Sequence, residues 1–565
     1  MKLLFLHVDY IEWQGLKKAL RSMKDLSPKE LEKKRIEDAL GVLVAVEKGD
    51  SEKSTEKLVK EIKDVAKQVN AKNVVLYPYA HLSKNLGSPE VAVKVLEGAE
   101  KKLKKDFNVN RAPFGYYKSF ELKVKGHPLS ELSREIAAEG DESKESYDEK
   151  KLLREISKSK LDTSKLKPND HRIIGQQMDL YSFNESAPGM VFWHNNGLII
   201  RNELINFWRE IHRKVGYQEI KTPQILDKKL WQISGHWEKF KENMFLTEYE
   251  KRNLAVKPMN CPGGMIVFKS RPKSYRDLPL KVGEMGEVHR IELSGTLGGL
   301  FRVIQFTQDD AHIFCNEKQM EEEVGKALDL LNSIYSKFNF EVDHVELSTR
   351  PEKRIGNEKQ WDKAEEVLEK VLKYKKMKFT INKGDGAFYG PKIDFHVKDS
   401  LNRTWQCGTF QLDFAMPERF ELEYTDKNNK RKRPVMIHRT IYGSVERFLG
   451  ILIESTKGRL STWLAPIQVR VLSFTDRNQK YAEEVIKKLE EKIPNLRIDS
   501  DFTQKGVPAK VKDAEIMRVP YVIVVGDREE KENNLAVRIR GNKKIEQFNI
   551  DEFVEKLGKE ILERN

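Results

Sequence analysis

A multidomain protein of mixed α+β and α/β class is what the sequence predicts, on three observations. At 565 residues the chain exceeds what one hydrophobic core can serve, so three or four domains are expected. Short β-like runs alternate with charged helical stretches at both ends, while long amphipathic helices and apolar strands fill the middle. Residues 138–169 turn almost wholly polar and read as a linker with one solvated helix. The expected division is 1–140, a charged linker over 141–169, 170–464 and 465–565.

In the first segment, LLFLHV (3–8), VLVAV (42–46), VVLYPY (74–79) and FELKV (120–124) are the strands of a small α/β domain. In the third, amphipathic periodicity predicts helices over 198–215, 317–338 and 358–373, and apolar runs predict strands around 281–290, 301–314, 387–397, 403–414 and 434–439. This is a large α+β domain. After Pro466, QVRVLSF, a helix at 477–490, LRIDS, a helix near 507–517, PYVIVVGD, LAVRIR and a last helix form a regularly alternating α/β module.

Lys and Arg outnumber Asp and Glu by 102 to 88, a surplus of +14 that favours an acidic partner such as nucleic acid. With 34% charged residues of mixed sign, a solvated surface accounts for it equally well. Cys261, Cys315 and Cys407 are too few and scattered for a disulfide framework, which fits a reducing cytosol. The run at 3–8 is short, is followed by Asp9 and lacks a cleavage pattern, so it reads as a strand rather than a signal peptide. No run approaches a membrane span, so a soluble, cytoplasmic protein without a membrane partner is expected.

The most informative stretch is FTQDDAH, because strand alternation puts Phe306, Gln308, Asp310 and His312 on one face. A ring, an amide, a carboxylate and an imidazole together make an active-site floor. Just upstream, Arg290 and Glu292 point the same way from VHRIE, and a SGTLGGL loop leads into Arg302. An arginine fork grips phosphate, and a carboxylate accepts from an adenine amine or holds magnesium. A surface hairpin with alternating charges has the same sequence signature. Arg447 falls in the first turns of a helix after Gly443 and Ser444, where acids are the usual occupants and a cation suits a bound anion.

With these motifs assembled, the chain resembles the threonyl-tRNA synthetases of archaeal type, class II enzymes with an N-terminal editing domain. The resemblance runs through DHRIIGQQMDLY, APGMVFWHNNG, KPMNCPGG, GEVHRIE, FTQDDAHIF, GAFYGPKIDF, WQCGTFQLDF and VMIHRTIYGSVERFLGIL. It implies a deacylase-like editing domain, a catalytic domain on an antiparallel sheet and a C-terminal α/β anticodon-binding domain. GYQEIKTPQIL with Pro223 is similar to the motif that forms the family's homodimer.

Carried over by resemblance, Arg290 contacts the α-phosphate, and Arg447 and Lys392 share the catalytic role. Glu292, Arg302, Phe306, Gln406 and Thr409 hold the nucleotide, with Phe306 and Arg447 sandwiching adenine. Asp310 holds the threonine amine, with Gln308, Tyr389 and Gln411 on the substrate side. The family's zinc maps to Cys261, His312 and His438. Spacing alone does not reveal it, since the three lie 51 and 126 positions apart. The implied partners are threonine, ATP with Mg2+ and tRNA(Thr). Gly408 interrupts WQCGTFQL, and a bulge there lets Gln406 and Gln411 share a face.

Serine carries the same amine and hydroxyl, so a second sieve is expected. His81, Tyr117, Lys118 and Glu131 match the editing positions, and Glu529 and Arg538 match positions that read anticodon bases. Three residues depart from the family pattern: Gly264 stands where His is usual, Ile291 replaces a polar or aromatic residue, and Gly298 stands where bacterial relatives carry His. Two other readings stay open at this stage, an RNA-binding protein that kept the fold without the reaction and an enzyme used mainly for deacylation.

Overall fold

The structure, a computed structural model, describes residues 1–136, 153, 164 and 166–565, except 21, 22, 24, 84, 400 and 401. The linker expected over 141–169 falls largely outside them. Two compact units divide the chain, 1–152 and 153–565. Among the described residues, no helix is long and apolar enough to cross a membrane.

In the first unit, six strands form a mixed sheet in the order Asn108–Arg111, Asn73–Pro78, Lys34–Ala45, Lys2–Lys18 and Tyr116–Val124, with Glu131–Glu135 also paired to Lys2–Lys18. Helices Ser54–Gln68 and Pro89–Leu103 bury Leu58, Ile62, Val95 and Leu96 against one face. Ser88 caps the second helix and Pro89 opens it. Val8, Ile11, Trp13 and Val75 form a smaller cluster on the other face.

The second unit is built on an eight-stranded sheet. Its order is Thr380–Asn382, Val342–Ser348, Lys392–Lys398, Thr404–Asp413, Val435–Thr440, Gln305–Cys315, Leu280–His289 and Gln218–Glu219, antiparallel except for the pairs at the two edges. Long helices Asn195–Lys214, Met320–Lys337 and Glu358–Tyr374 bury their apolar stripes into the core containing Phe395, Phe410 and Ile437. Each fully buried side chain of this size contributes roughly 1.5–3 kcal/mol over exposure. The far face carries polar side chains together with a smaller apolar cluster that includes Val282, Phe314 and Met436.

From Val469 onward a five-stranded sheet, ordered Ile498–Asp501, Val469–Ser473, Tyr521–Val525, Leu535–Ile539 and Ile545–Phe548, carries its own core. Helices Gln479–Lys492, Val507–Ile516 and Ile550–Glu563 cover it. Its first three strands are parallel and its last two join antiparallel.

Two expectations are corrected at one hairpin. Strand Leu280–His289 ends before Arg290, and Gln305–Cys315 begins at 305 rather than 301. Arg290 N still donates to Ile304 O at 2.9 Å, but Ile291 N turns away to Asn243 O, so the ladder cannot continue to Glu292. The connection instead folds into two short 3-10 turns, Ser294–Thr296 and Gly299–Phe301.

Candidate functional site

Alternation along Gln305–Cys315 presents Phe306, Gln308, Asp310 and His312 to the polar face. His312 is opposite His438 across one ladder, and His438 is opposite Gln411 across the next. Cys261 arrives from a separate element, the first residue of helix Cys261–Lys269, which Pro262 opens. A ligand atom from each of Cys261, His312 and His438 lies within 4.8 Å of the others, and all three side chains are buried.

Burial pushes the Cys261 thiol up and the His312 imidazole down. Nε2 of His312 has no hydrogen-bond partner, and His438 Nε2 stands 2.9 Å from Asp413 Oδ2. One thiolate, two imidazoles and a carboxylate behind one of them fit a three-ligand zinc ion that keeps an open position. Gly264 borders this group, since a Cβ there would come 3.3 Å from His312 Nδ1. Gly298 faces open space, and Ile291 is partly exposed, so neither departure crowds the floor.

Beside it is a cavity of about 200 Å³ lined by Arg290, Glu292, Arg302, Phe306, Gln406, Thr409 and Arg447. Arg290 lies over the Phe306 ring at 5.1 Å and donates to Pro258 O at 3.0 Å. Arg302 and Glu292 pair at 2.8 Å across the loop. Arg447, whose backbone N donates to the Ser444 cap, reaches back to Phe301 O at 3.0 Å and Gln406 O at 2.9 Å. Burial pulls both Arg290 and Arg447 down, which favours an anion between them.

A bulge does sit at Gly408: the pairing steps from Asp394↔Thr409 to His396↔Gln406, one residue longer on the glycine strand. A Cβ on Gly408 would meet Leu331 Cδ1 at 2.7 Å. Gln406 and Thr409 thereby turn to one acceptor, Asp394 Oδ1, at 2.5 and 3.0 Å, while Lys392 takes Asp394 Oδ2 at 2.5 Å. Burial opposes the Lys392 charge, yet Asp394 and Asp385 hold it up. Tyr389 donates to Gln411 at 2.7 Å. Burial also raises Asp310, so a cation beside it is stabilising.

Sequence reasoning missed four residues of this region. Asp394 gathers Lys392, Gln406 and Thr409, and Asp413 backs His438. Buried Asp309 accepts from Ile441 N and Gly443 N, both at 2.9 Å, and burial lifts it to about 7. His236, lowered by burial to about 3, bonds Ser234 Oγ at 2.7 Å and lies 6.4 Å from the Tyr389 ring. Only DD in FTQDDAH hinted at any of them.

In the first unit, Lys118 lies 5.0 Å over the Tyr77 ring and donates to Pro113 O at 2.9 Å, and burial lowers it to about 8. Phe120 and Tyr79 continue this aromatic row to His81. Tyr117, next in the strand to Lys118, is 64% exposed. Glu131 lies on the neighbouring strand Glu131–Glu135, opposite Leu6 of Lys2–Lys18, and Lys118 is opposite Gly15 of that same strand.

At the C-terminal end, Arg538 lines a cavity of about 810 Å³ together with Lys457, Arg459, Arg518, Arg540 and Lys543. Nε of Arg538 is buried and unpartnered. Glu529 caps its own helix, Asp527–Glu532, by accepting from Gly526 N at 3.0 Å.

Three family models match the chain: the Archaea-specific editing domain of threonyl-tRNA synthetase over 1–136, the class II tRNA synthetase core domain (G, H, P, S and T) over 245–456, and an anticodon binding domain over 468–560. A threonine–tRNA ligase of Caldanaerobacter subterraneus is 50% identical over 395 residues, 70% of this chain and 61% of that protein. One from Desulforamulus reducens is 50% identical over 70% of this chain and 62% of its own length. The chain thus spans under two thirds of the length of these curated relatives. Among solved structures, the RNA binding domain of threonyl-tRNA synthetase from Cryptosporidium parvum is similar at TM-score 0.67 and 40% identity, covering 69% of this chain and 98% of that one.

Proposed function

The chain belongs to the threonyl-tRNA synthetases, and from that premise we propose that it activates threonine with ATP and transfers it to tRNA(Thr). The observation that carries the reading is the adjacency of the Cys261, His312 and His438 group to the arginine-lined cavity across one strand, Gln305–Cys315. When bound there, zinc supplies open positions for an amine and a hydroxyl, which valine's methyl cannot occupy.

The chain's own residues supply the rest. Asp310 is suited to the threonine ammonium, and Gln308, Tyr389 and Gln411 to its orientation. The carboxylate then attacks the α-phosphorus of magnesium-bound ATP and pyrophosphate leaves in line. Arg290 and Arg447 neutralise charge on the phosphates, Phe306 and Arg447 face adenine, and Glu292, Arg302, Gln406 and Thr409 fix the rest of the nucleotide. Lys392, held charged by Asp394, stands by the developing adenylate. A terminal tRNA hydroxyl finally attacks the adenylate carbonyl. Positioning and charge stabilisation dominate, with little proton transfer by side chains.

Residues 1–136 would hydrolyse seryl-tRNA(Thr) around His81, Tyr117, Lys118 and Glu131. Arg538 and Glu529 would meet the anticodon. Buried free cysteines suit a cytoplasmic enzyme, and the Pro223 segment beside edge strand Gln218–Glu219 suits a homodimer. Threonine-dependent exchange of pyrophosphate into ATP tests the central step. Zinc-replete protein should exchange with threonine and not with valine; no exchange with threonine removes the reading.

A further inference from the structure

Outward from Asp394 on the polar face of the large sheet lies a second group of metal-ligating type. Val342–Ser348 pairs with Lys392–Lys398 so that His344 is opposite His396 and Glu346 is opposite Asp394. His344, Glu346 and His396 therefore share one face, and a ligand atom from each lies within 4.8 Å of the others. Nε2 of His344 is 3.7 Å from Glu346 Oε1, and Nε2 of His396 is 3.7 Å from Glu346 Oε2. Both distances are too long for hydrogen bonds. Nε2 of His396 is shut away from solvent with no hydrogen-bond partner.

The surroundings orient these side chains as ligands are oriented. Asp343 Oδ2 lies 2.8 Å from His344 Nδ1, which places the proton on Nδ1 and leaves the Nε2 lone pair free. Lys398 in turn pairs with Asp343, and Asn382 donates to Glu346 Oε2 at 3.1 Å. The rings lie parallel, 4.2 Å between centroids and 9° between planes. A stacked cross-strand pair explains the parallel rings alone. It does not explain a carboxylate held between two unbonded Nε2 atoms.

We propose that His344, Glu346 and His396 bind a divalent transition-metal ion, separate from the Cys261 group. Two imidazoles and a carboxylate suit zinc or cobalt, at about 2.0–2.2 Å per bond. Donors around such an ion are about 3.4 Å apart, so binding turns the rings out of their stack toward one point. The fourth position is left to water. Partial exposure of the three side chains, 38%, 26% and 18%, gives the ion a way in. Bound there, it ties Val342–Ser348 to Lys392–Lys398 next to Asp394. Metal uptake by this group is independent of ligase activity.

Titration of the metal-free full-length chain with Co(II) tests it, because only the Cys261 group contains sulfur and only it gives a thiolate-to-cobalt charge-transfer band. Wild type should saturate at two equivalents, one with the band and one without. His344→Ala/His396→Ala should take up one equivalent and keep the band, which also shows that the sheet has folded. His396→Gln, a milder change, should lose the same equivalent. Cys261→Ser should lose the band and keep the other equivalent. The proposal is overturned if wild type saturates at one equivalent, or if the second is unchanged in both histidine variants, as an adventitious ion would be.

Discussion

Asp394 is 1% exposed, and Lys392, Gln406, Thr409 and Ser348 all bond to it. Asp394→Asn keeps the shape but removes the charge that fixes Lys392 and puts an amide N–H where donors converge. Loss of one charge-assisted bond is worth about 1.5–3 kcal/mol, or roughly 10- to 150-fold in rate. Threonine-dependent pyrophosphate exchange should fall by up to that factor, and the melting temperature should fall with it because the buried donors lose their acceptor. Lys118 gives a residue-scale test in pH. Burial lowers it to about 8, so the folded chain releases this proton before the unfolded chain does. Between about 8 and the ordinary lysine value near 10.4 the unfolded state binds more protons, and the stability of the first unit rises with pH across that window. Competitive amine labelling should show Lys118 half-reactive near pH 8, well below exposed lysines; a midpoint near theirs would sink the claim. Sequence patterning made the floor residues of FTQDDAH legible because period-2 alternation is a local property. Asp394 and Asp413 were illegible because an acid on a strand has no pattern until its cross-strand neighbours are known, and the Cys261 group because its members meet only in the folded sheet.

At the scale of the element, Gly408 decides where its strand points. Its extra residue lets Gln406 and Thr409 reach one carboxylate, and the space at its Cα is filled by Leu331, Tyr335 and Phe395. Gly408→Ala forces a methyl within 2.7 Å of the Leu331 methyl in a closed core, which should cost about 1–3 kcal/mol. Urea unfolding should show a lower midpoint, and exchange activity should fall further than stability because Gln406 is re-aimed. Gly443 is tighter still: its φ is +76° and a Cβ would meet Cys407 O at 2.6 Å, a backbone atom that cannot rotate away. Such elements divide into those the sequence could declare and those it could not. Helices 320–337 and 358–374 match their amphipathic periodicity within a few residues, and the glycine in WQCGTFQL announced a bulge. The strand reading of VHRIE overran because alternating side chains persist into a connection; the backbone bond from Ile291 to Asn243 that ends the ladder is a long-range event.

The whole molecule carries a surplus of +14, and mixed surface charge alone accounts for such a figure. What argues for a polyanion is its concentration: Lys457, Arg459, Arg518, Arg538, Arg540 and Lys543 share one cavity with Glu515 as the acid among its lining residues. Several of these cations have structural duties. Arg540 donates to Arg518 O and Leu460 O, and Arg518 to Gln177 Oε1 at 2.9 Å, joining the C-terminal sheet to the catalytic part of the same unit. Arg538 differs, since its buried Nε has no hydrogen-bond partner while its side chain lines the cavity, where it can meet a base edge or phosphate. Arg538→Ala should therefore leave the melting temperature nearly unchanged and weaken tRNA(Thr) binding by about 1–3 kcal/mol. Salt separates the two roles. If Arg538 meets a phosphate, its removal lowers the slope of log affinity against log salt by about 0.7–0.9; if it meets a base edge, the slope stays as it was and discrimination among tRNAs relaxes. Filter binding at several salt concentrations, with cognate and non-cognate tRNA, measures both. An Arg538→Ala protein that binds tRNA(Thr) like wild type at every salt concentration would remove this cavity from the RNA path.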